Sequence, residues 1–282
     1  MEAEESFLSQ RIIFAFIILE VLNWSFLLLG SYVNDLLALD VLTGFTFRFG
    51  IRAVQCLGIV PFILKVPNGK RSLGEYLADI KITNYKPTAR LLIITIVSTC
   101  LLLAGLAVAG IAYGNFVLDT SIIFNEEAPL VLLAINAGLW EEITWRGIVL
   151  TLFLKRYSIR TSITINTILF ALSHLINLFA GRDILIMIGQ LIFVLIATPF
   201  LAYVFIKTES LLPSILIHYS IDAFGMLFYA SMLQPGPNLI IGGIFMLVGW
   251  FVGNILAFGF LRIYLKDENS SIGEENENRN PD

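Results

Sequence analysis

Apolar runs about the length of a membrane span recur along almost the whole of this chain. They lie near 12–30, 46–64, 91–113, 129–154, 161–180, 184–206, 211–232 and 239–265. A helix needs roughly 20 apolar residues to cross the hydrocarbon core of a bilayer. Mean hydropathy is +0.83 and only 14% of the residues are charged, so few positions could anchor a soluble surface. The expected fold is therefore all-α, a polytopic transmembrane helix bundle of about eight spans.

The loops support that count. Those before span 1, between spans 2 and 3, 4 and 5, and 6 and 7, and after span 8 carry nearly all the basic residues, from Arg11, Lys70 and Arg71 to Arg160, Lys207 and Lys266. The opposite set of loops carries Arg182 alone. Basic residues stay on the cytoplasmic side, which predicts eight spans with both termini in the cytoplasm of a cell-membrane protein. The N-terminus, Met-Glu-Ala-Glu-Glu-Ser, is acidic where a signal peptide is basic, so the first apolar run is expected to remain as an anchor. Arg48 and Arg52 at the start of span 2 are expected to snorkel to the interface. Leu73, Tyr76, Leu77 and Ile80 recur at helical spacing and predict an amphipathic helix on the cytoplasmic leaflet.

The expected organisation is one transmembrane domain over 1–265, with its motif-bearing core at 128–230, and an acidic, disordered cytoplasmic tail over 266–282. Net charge is −4, much of it owed to that tail, and the scattered basic residues form no nucleic-acid patch. Cys56 and Cys100 both fall in apolar segments and read as buried thiols. Gly249 and Gly253 have small-xxx-small spacing, which fits packing within the bundle as well as dimerisation.

Against this background a few ionisable residues stand out. Span 4 carries Glu141, Glu142 and Arg146, span 5 carries His174, and span 7 carries His218 and Asp222. An ionisable side chain inside the membrane costs several kcal/mol and marks a functional site by default. Glu20 in span 1 has no motif around it and reads as an interfacial or hydrogen-bonded residue. At 1.5 Å of rise per residue, Glu141 stands about 21 Å above Lys155 and His174 about 21 Å above Arg160. His218 and Asp222 stand about 14 and 20 Å above Glu209 on the same measure. All four can share one layer between spans 4, 5 and 7. Glu142 and Arg146 are i,i+4 neighbours, the better orientation for an ion pair, which leaves Glu141 as the freer carboxylate. His218 and Asp222 also share a helix face one turn apart.

In order, Glu-Glu-x-x-x-Arg at 141–146, Phe-x-x-x-His at 170–174 and His-x-x-x-Asp at 218–222 resemble the CPBP family. This family groups type II CAAX prenyl endopeptidases with bacteriocin-processing and Abi-type membrane proteins. The resemblance covers roughly 128–230, and Asp222 stands where eukaryotic prenyl-protease members typically have Asn and other members of the family accept Asp. It implies an intramembrane glutamic-type endopeptidase acting on a membrane-associated protein or peptide, prenylated CAAX-type substrates among them. By that resemblance Glu141 and His174 hold and deprotonate a water, His218 and Asp222 face the oxyanion, and Glu142 and Arg146 support them. An ionised Asp222 would repel an oxyanion, so its expected part is to orient His218.

No cofactor is expected. Zinc hydrolysis is the chemical alternative, disfavoured because the chain lacks His-Glu-x-x-His and its candidate ligands are spread over three helices. A proton-coupled transporter or a catalytically idle immunity scaffold are the alternatives outside proteolysis. The polar residues concentrate in spans 4 to 7 with no matching set in the first half, which is unlike a repeat-built transporter.

Overall fold

The computed structural model describes residues 36–59, 73–82, 88–114, 130–179, 181–232 and 239–279, with 17, 21–22, 24–26, 28–30 and 32–33 before them. Glu20 and most of the first expected span lie outside the described residues. Every regular element among the described residues is helical. In chain order, α1 is Val41–Ala53, continued in wider π-helical form over Val54–Ile59, and α2 is Leu73–Asp79. Next come α3, Ala89–Tyr113, and α4, which runs Leu130–Glu142, widens to π over Ile143–Leu150 and closes over Thr151–Leu154. Then follow α5, Ile159–Ser173, a short α6, Ile176–Phe179, α7, Ile184–Thr208, α8, Leu211–Met232, and α9, Leu239–Arg279.

The boundaries follow from local chemistry. Thr88, Ser158 and Asp183 sit just before α3, α5 and α7, and each side chain accepts from a first-turn backbone N–H. Gly114 closes α3 at φ 78°, the left-handed conformation that glycine adopts without a Cβ penalty. Among the described residues, four helical stretches are long and apolar enough to cross a membrane: Ala89–Tyr113, Ile159–Phe179, Ile184–Thr208 and Ile240–Leu265. Each buries only a minority of its most apolar window inside the protein. Side chains such as Val108, Ile111, Val248, Phe251 and Val252 point outward, where only hydrocarbon solvates them well. The chain is a membrane protein.

Two apolar clusters hold the bundle. Leu102, Leu106, Leu201, Ile221 and Trp250 join α3, α7, α8 and α9. Trp145, Leu150, Phe170, Ala202 and Leu211 join α4, α5, α7 and α8. The small-residue stripe of α9 is used within the chain. A Cβ on Gly105 of α3 would stand 2.8 Å from the Gly253 backbone nitrogen, and one on Gly253 would stand 3.0 Å from Leu102. Packing, not dimerisation, accounts for these glycines.

Two expectations need correction. The apolar side of α2 faces protein instead of a lipid leaflet: Tyr76 and Ile80 are buried, and the Tyr76 hydroxyl donates to the Cys56 carbonyl at 2.8 Å. That burial pushes the Tyr76 phenol above its ordinary pKa. Cys56 is buried as expected, but Cys100 is exposed on α3.

Candidate active site

The site begins with a close approach of two helices. A Cβ on Gly138 would lie 2.8 Å from the backbone nitrogen of Tyr219, so α4 and α8 touch almost backbone to backbone. One turn later on α4, that proximity brings Glu142 to His218. Glu142 Oε1 lies 2.7 Å from His218 Nδ1 and 2.9 Å from an Arg146 terminal nitrogen. Both Glu142 and Arg146 are fully buried. The Arg146 contact is a charge pair whose angles fall outside hydrogen-bond geometry, whereas the His218 contact is a true hydrogen bond. A carboxylate paired with a guanidinium can only accept, so the proton between His218 and Glu142 sits on Nδ1.

The other edge of the His218 ring faces the remaining acids. Its Nε2 lies 3.6 Å from Asp222 Oδ2 and 3.9 Å from Glu141 Oε2. The Asp222 and Glu141 side chains are 32% and 29% exposed, against zero for Glu142. The two adjacent glutamates thus occupy different environments: Glu142 is sealed in the protein, and Glu141 opens to a cavity.

That cavity, of about 530 Å³, is lined by Glu141, His174, His218 and Asp222 along with apolar residues of α7 and α9. His174 reaches it from the end of α5, which stops at Ser173 and does not run on through the histidine. Its Nδ1 lies 2.8 Å from the Phe170 carbonyl oxygen. A carbonyl only accepts, so Nδ1 carries the hydrogen and Nε2 keeps a lone pair for a further partner. No direct contact joins His174 to Glu141 or His218 among the described residues. They share the cavity.

Phe170 links His174 to the buried arginine. The Arg146 guanidinium lies 4.8 Å from the Phe170 ring centre, a cation–π distance, and the His174 ring stands edge-on to the same ring at 4.8 Å. Trp145 closes in at 5.1 Å. The π-helical winding that carries Arg146 changes how its carbonyls are satisfied, and side chains help. Asn166 donates to the Trp145 carbonyl at 2.9 Å, and the Thr151 hydroxyl to the Arg146 carbonyl at 3.3 Å. Sequence reasoning missed Gly138, Asn166 and the ring contact of Phe170. Only Phe170 had a signal, its place in the Phe-x-x-x-His motif.

Among the described residues, no group of three or more His, Cys, Asp or Glu side chains is arranged to hold a metal ion.

No curated protein and no solved structure matches the chain. One family model does match, that of the type II CAAX prenyl endopeptidase Rce1-like family, over residues 124–224. The match takes in Glu141, Glu142, Arg146, Phe170, His174, His218 and Asp222. Over residues 124–224, about a third of its length, this membrane protein is thus similar to the Rce1-like type II CAAX prenyl endopeptidase family.

Proposed function

We propose that the protein hydrolyses a peptide bond of a membrane-associated substrate with a water activated by Glu141 and His174, without a metal. The observation that carries this reading is the environmental split between the adjacent glutamates. One is buried against Arg146 and His218, and the other opens to the cavity beside His174. Paired acids whose surroundings differ this sharply are what divided catalytic roles require.

In this reading the water sits between Glu141 and the Nε2 of His174. Glu141 takes its proton as the oxygen attacks the carbonyl carbon, and later delivers that proton to the leaving amine as the C–N bond breaks. A positioned base of this kind supplies about 10²–10⁴-fold. His218 donates Nδ1–H to Glu142, and a proton on Nε2 lets it donate to the oxyanion. The short contact from Glu142 supports giving it the task of orienting His218, a task the sequence assigned to Asp222. Asp222, whose Oδ2 lies 3.6 Å from Nε2, then favours a protonated Nε2 without taking its hydrogen bond. The fixed donor stabilises charge as it develops, which is worth about 3–4 kcal/mol per group in comparable sites.

The same reading places the site within the membrane, in an eight-span bundle with both termini in the cytoplasm and an acidic tail beyond residue 265. The substrate class is a prenylated CAAX peptide or a membrane protein segment. The test is cleavage of an internally quenched farnesylated CAAX peptide by purified protein in lipid nanodiscs. Wild type is expected to cleave, Glu141→Ala to fail while folded, and chelator to have no effect. One zinc per chain that disappears in Glu141→Ala would overturn the metal-free step. Absence of cleavage by wild type would overturn proteolysis of this substrate class.

A further inference from the structure

Arg182 is the one basic residue in its set of loops, and it lines the same cavity as Glu141. It precedes α7, and its guanidinium donates to Gln190 Oε1 at 3.2 Å. Asn177 of α6 donates to the same oxygen, also at 3.2 Å. Gln190 therefore spends its acceptor on two donors and keeps its NH2 group, which bonds to nothing among the described residues. No carboxylate pairs with Arg182 among them either. Asp183, its neighbour in sequence, is occupied in capping α7 through the N–H groups of Leu185 and Ile186. A held guanidinium beside an amide donor, with no anion of its own, is a receptor for an anion.

Its height above the reacting groups follows from helix register. The Ser214 hydroxyl donates to the Leu201 carbonyl at 3.1 Å, which fixes α8 against antiparallel α7. From that level His218 rises about 6 Å along α8, and Gln190 about 16 Å along α7. The separation of about 10 Å is the length of about three extended residues. Between the two levels the cavity wall is apolar, with Ile192, Phe193 and Ala197 on α7.

We infer that Arg182, held by Gln190, binds the free C-terminal carboxylate of the substrate and so sets how far from the chain end cleavage occurs. This deepens the proposed function and rests on it for the position of the scissile bond. It makes Arg182 a specificity residue: the protein selects a chain terminus, and an internal segment lacks the group that Arg182 reads.

The test uses full-length protein in phosphatidylcholine nanodiscs and two farnesylated peptides ending in Cys-Val-Ile-Met, one a free acid and the other a C-terminal amide. Wild type is expected to favour the acid at least about tenfold in kcat/KM, mostly through KM, from loss of a charge-assisted contact. R182Q should bring the acid down to the amide's level. R182K should restore part of the preference, and Q190E, which places an anion beside Arg182, should abolish it. Binding of fluorescent versions of both peptides to E141Q gives a readout independent of turnover. Acid-selective binding that depends on Arg182 without cleavage would uphold the carboxylate site and sink the protease reading. Cleavage of both peptides at equal efficiency, or equal losses for both in R182Q, would overturn the carboxylate site and leave the protease reading standing. An R182Q effect seen only as weaker association with phosphatidylglycerol would assign Arg182 to a lipid phosphate and also overturn the proposal. Failure of E141Q to bind either peptide, together with no cleavage of either by wild type, would overturn both.

Discussion

Gly138→Ala tests whether the approach of α4 and α8 builds the site. The new Cβ would stand 2.8 Å from the Tyr219 nitrogen and 3.0 Å from its Cα, and neither backbone atom can swing aside. Restoring ordinary contact near 3.5 Å requires the helices to part by about 0.7 Å. Glu142 lies one turn beyond Gly138, and His218 is the residue before Tyr219, so the movement acts directly on their 2.7 Å hydrogen bond. Stretched to about 3.4 Å, that bond leaves the usual range, and His218 loses its orientation. Overpacking of this kind costs about 1–3 kcal/mol of stability. Misplacement approaching 1 Å in a catalytic group costs about 10²-fold in rate. The assay is kcat/KM on the quenched farnesylated peptide, read beside thermal unfolding in nanodiscs. Gly259→Ala is the control, since its Cβ would meet nothing within 4 Å. Undiminished turnover in Gly138→Ala would refute the claim that this contact positions His218.

Three further outcomes follow from the packing. Arg146→Met leaves Glu142 buried without its cation, and should lower stability by about 3–5 kcal/mol. Adding Glu142→Leu should recover much of that stability without activity, as thermal unfolding of the single and double variants would show. Gly105→Val forces α3 from α9 and should destabilise the bundle by at least about 1–3 kcal/mol with no change in oligomeric state, measured by unfolding and by mass of the nanodisc complex. Tyr76→Phe removes a 2.8 Å hydrogen bond to the Cys56 carbonyl and should cost about 1 kcal/mol with kcat unchanged, measured in the same two assays.

Much of the helix pattern and the identity of the polar cluster could be read in the chain, because both are short-range signals. Apolar runs mark α3, α7 and α9 directly, and three motifs point to Glu141, His174 and His218. Matching their depths brought these residues to one layer, yet it said nothing about which atoms meet. The bond from Glu142 to His218 depends on how closely α4 and α8 approach, and nothing distinguishes Gly138 in sequence from any other helical glycine. The i,i+4 argument for Glu142 and Arg146 assumed α-helical winding. Their contact is present, although the helix widens directly after Glu142. For α2 the apolar period was legible and its partner was not, since Tyr76 and Ile80 would have the same spacing against lipid or protein. His174 shows the opposite case. Its motif placed it inside an uninterrupted span, but α5 ends just before it, leaving the ring at a turn that borders the cavity.

The most direct test of Glu141-dependent proteolysis is a mass-spectrometric comparison of membrane-protein termini from cells expressing wild type or Glu141→Ala at matched abundance. The account predicts new termini with wild type alone, and those termini would name the substrate. Identical termini in both, alongside a cellular phenotype that still depends on Glu141, would contradict it and move the buried acids to transport.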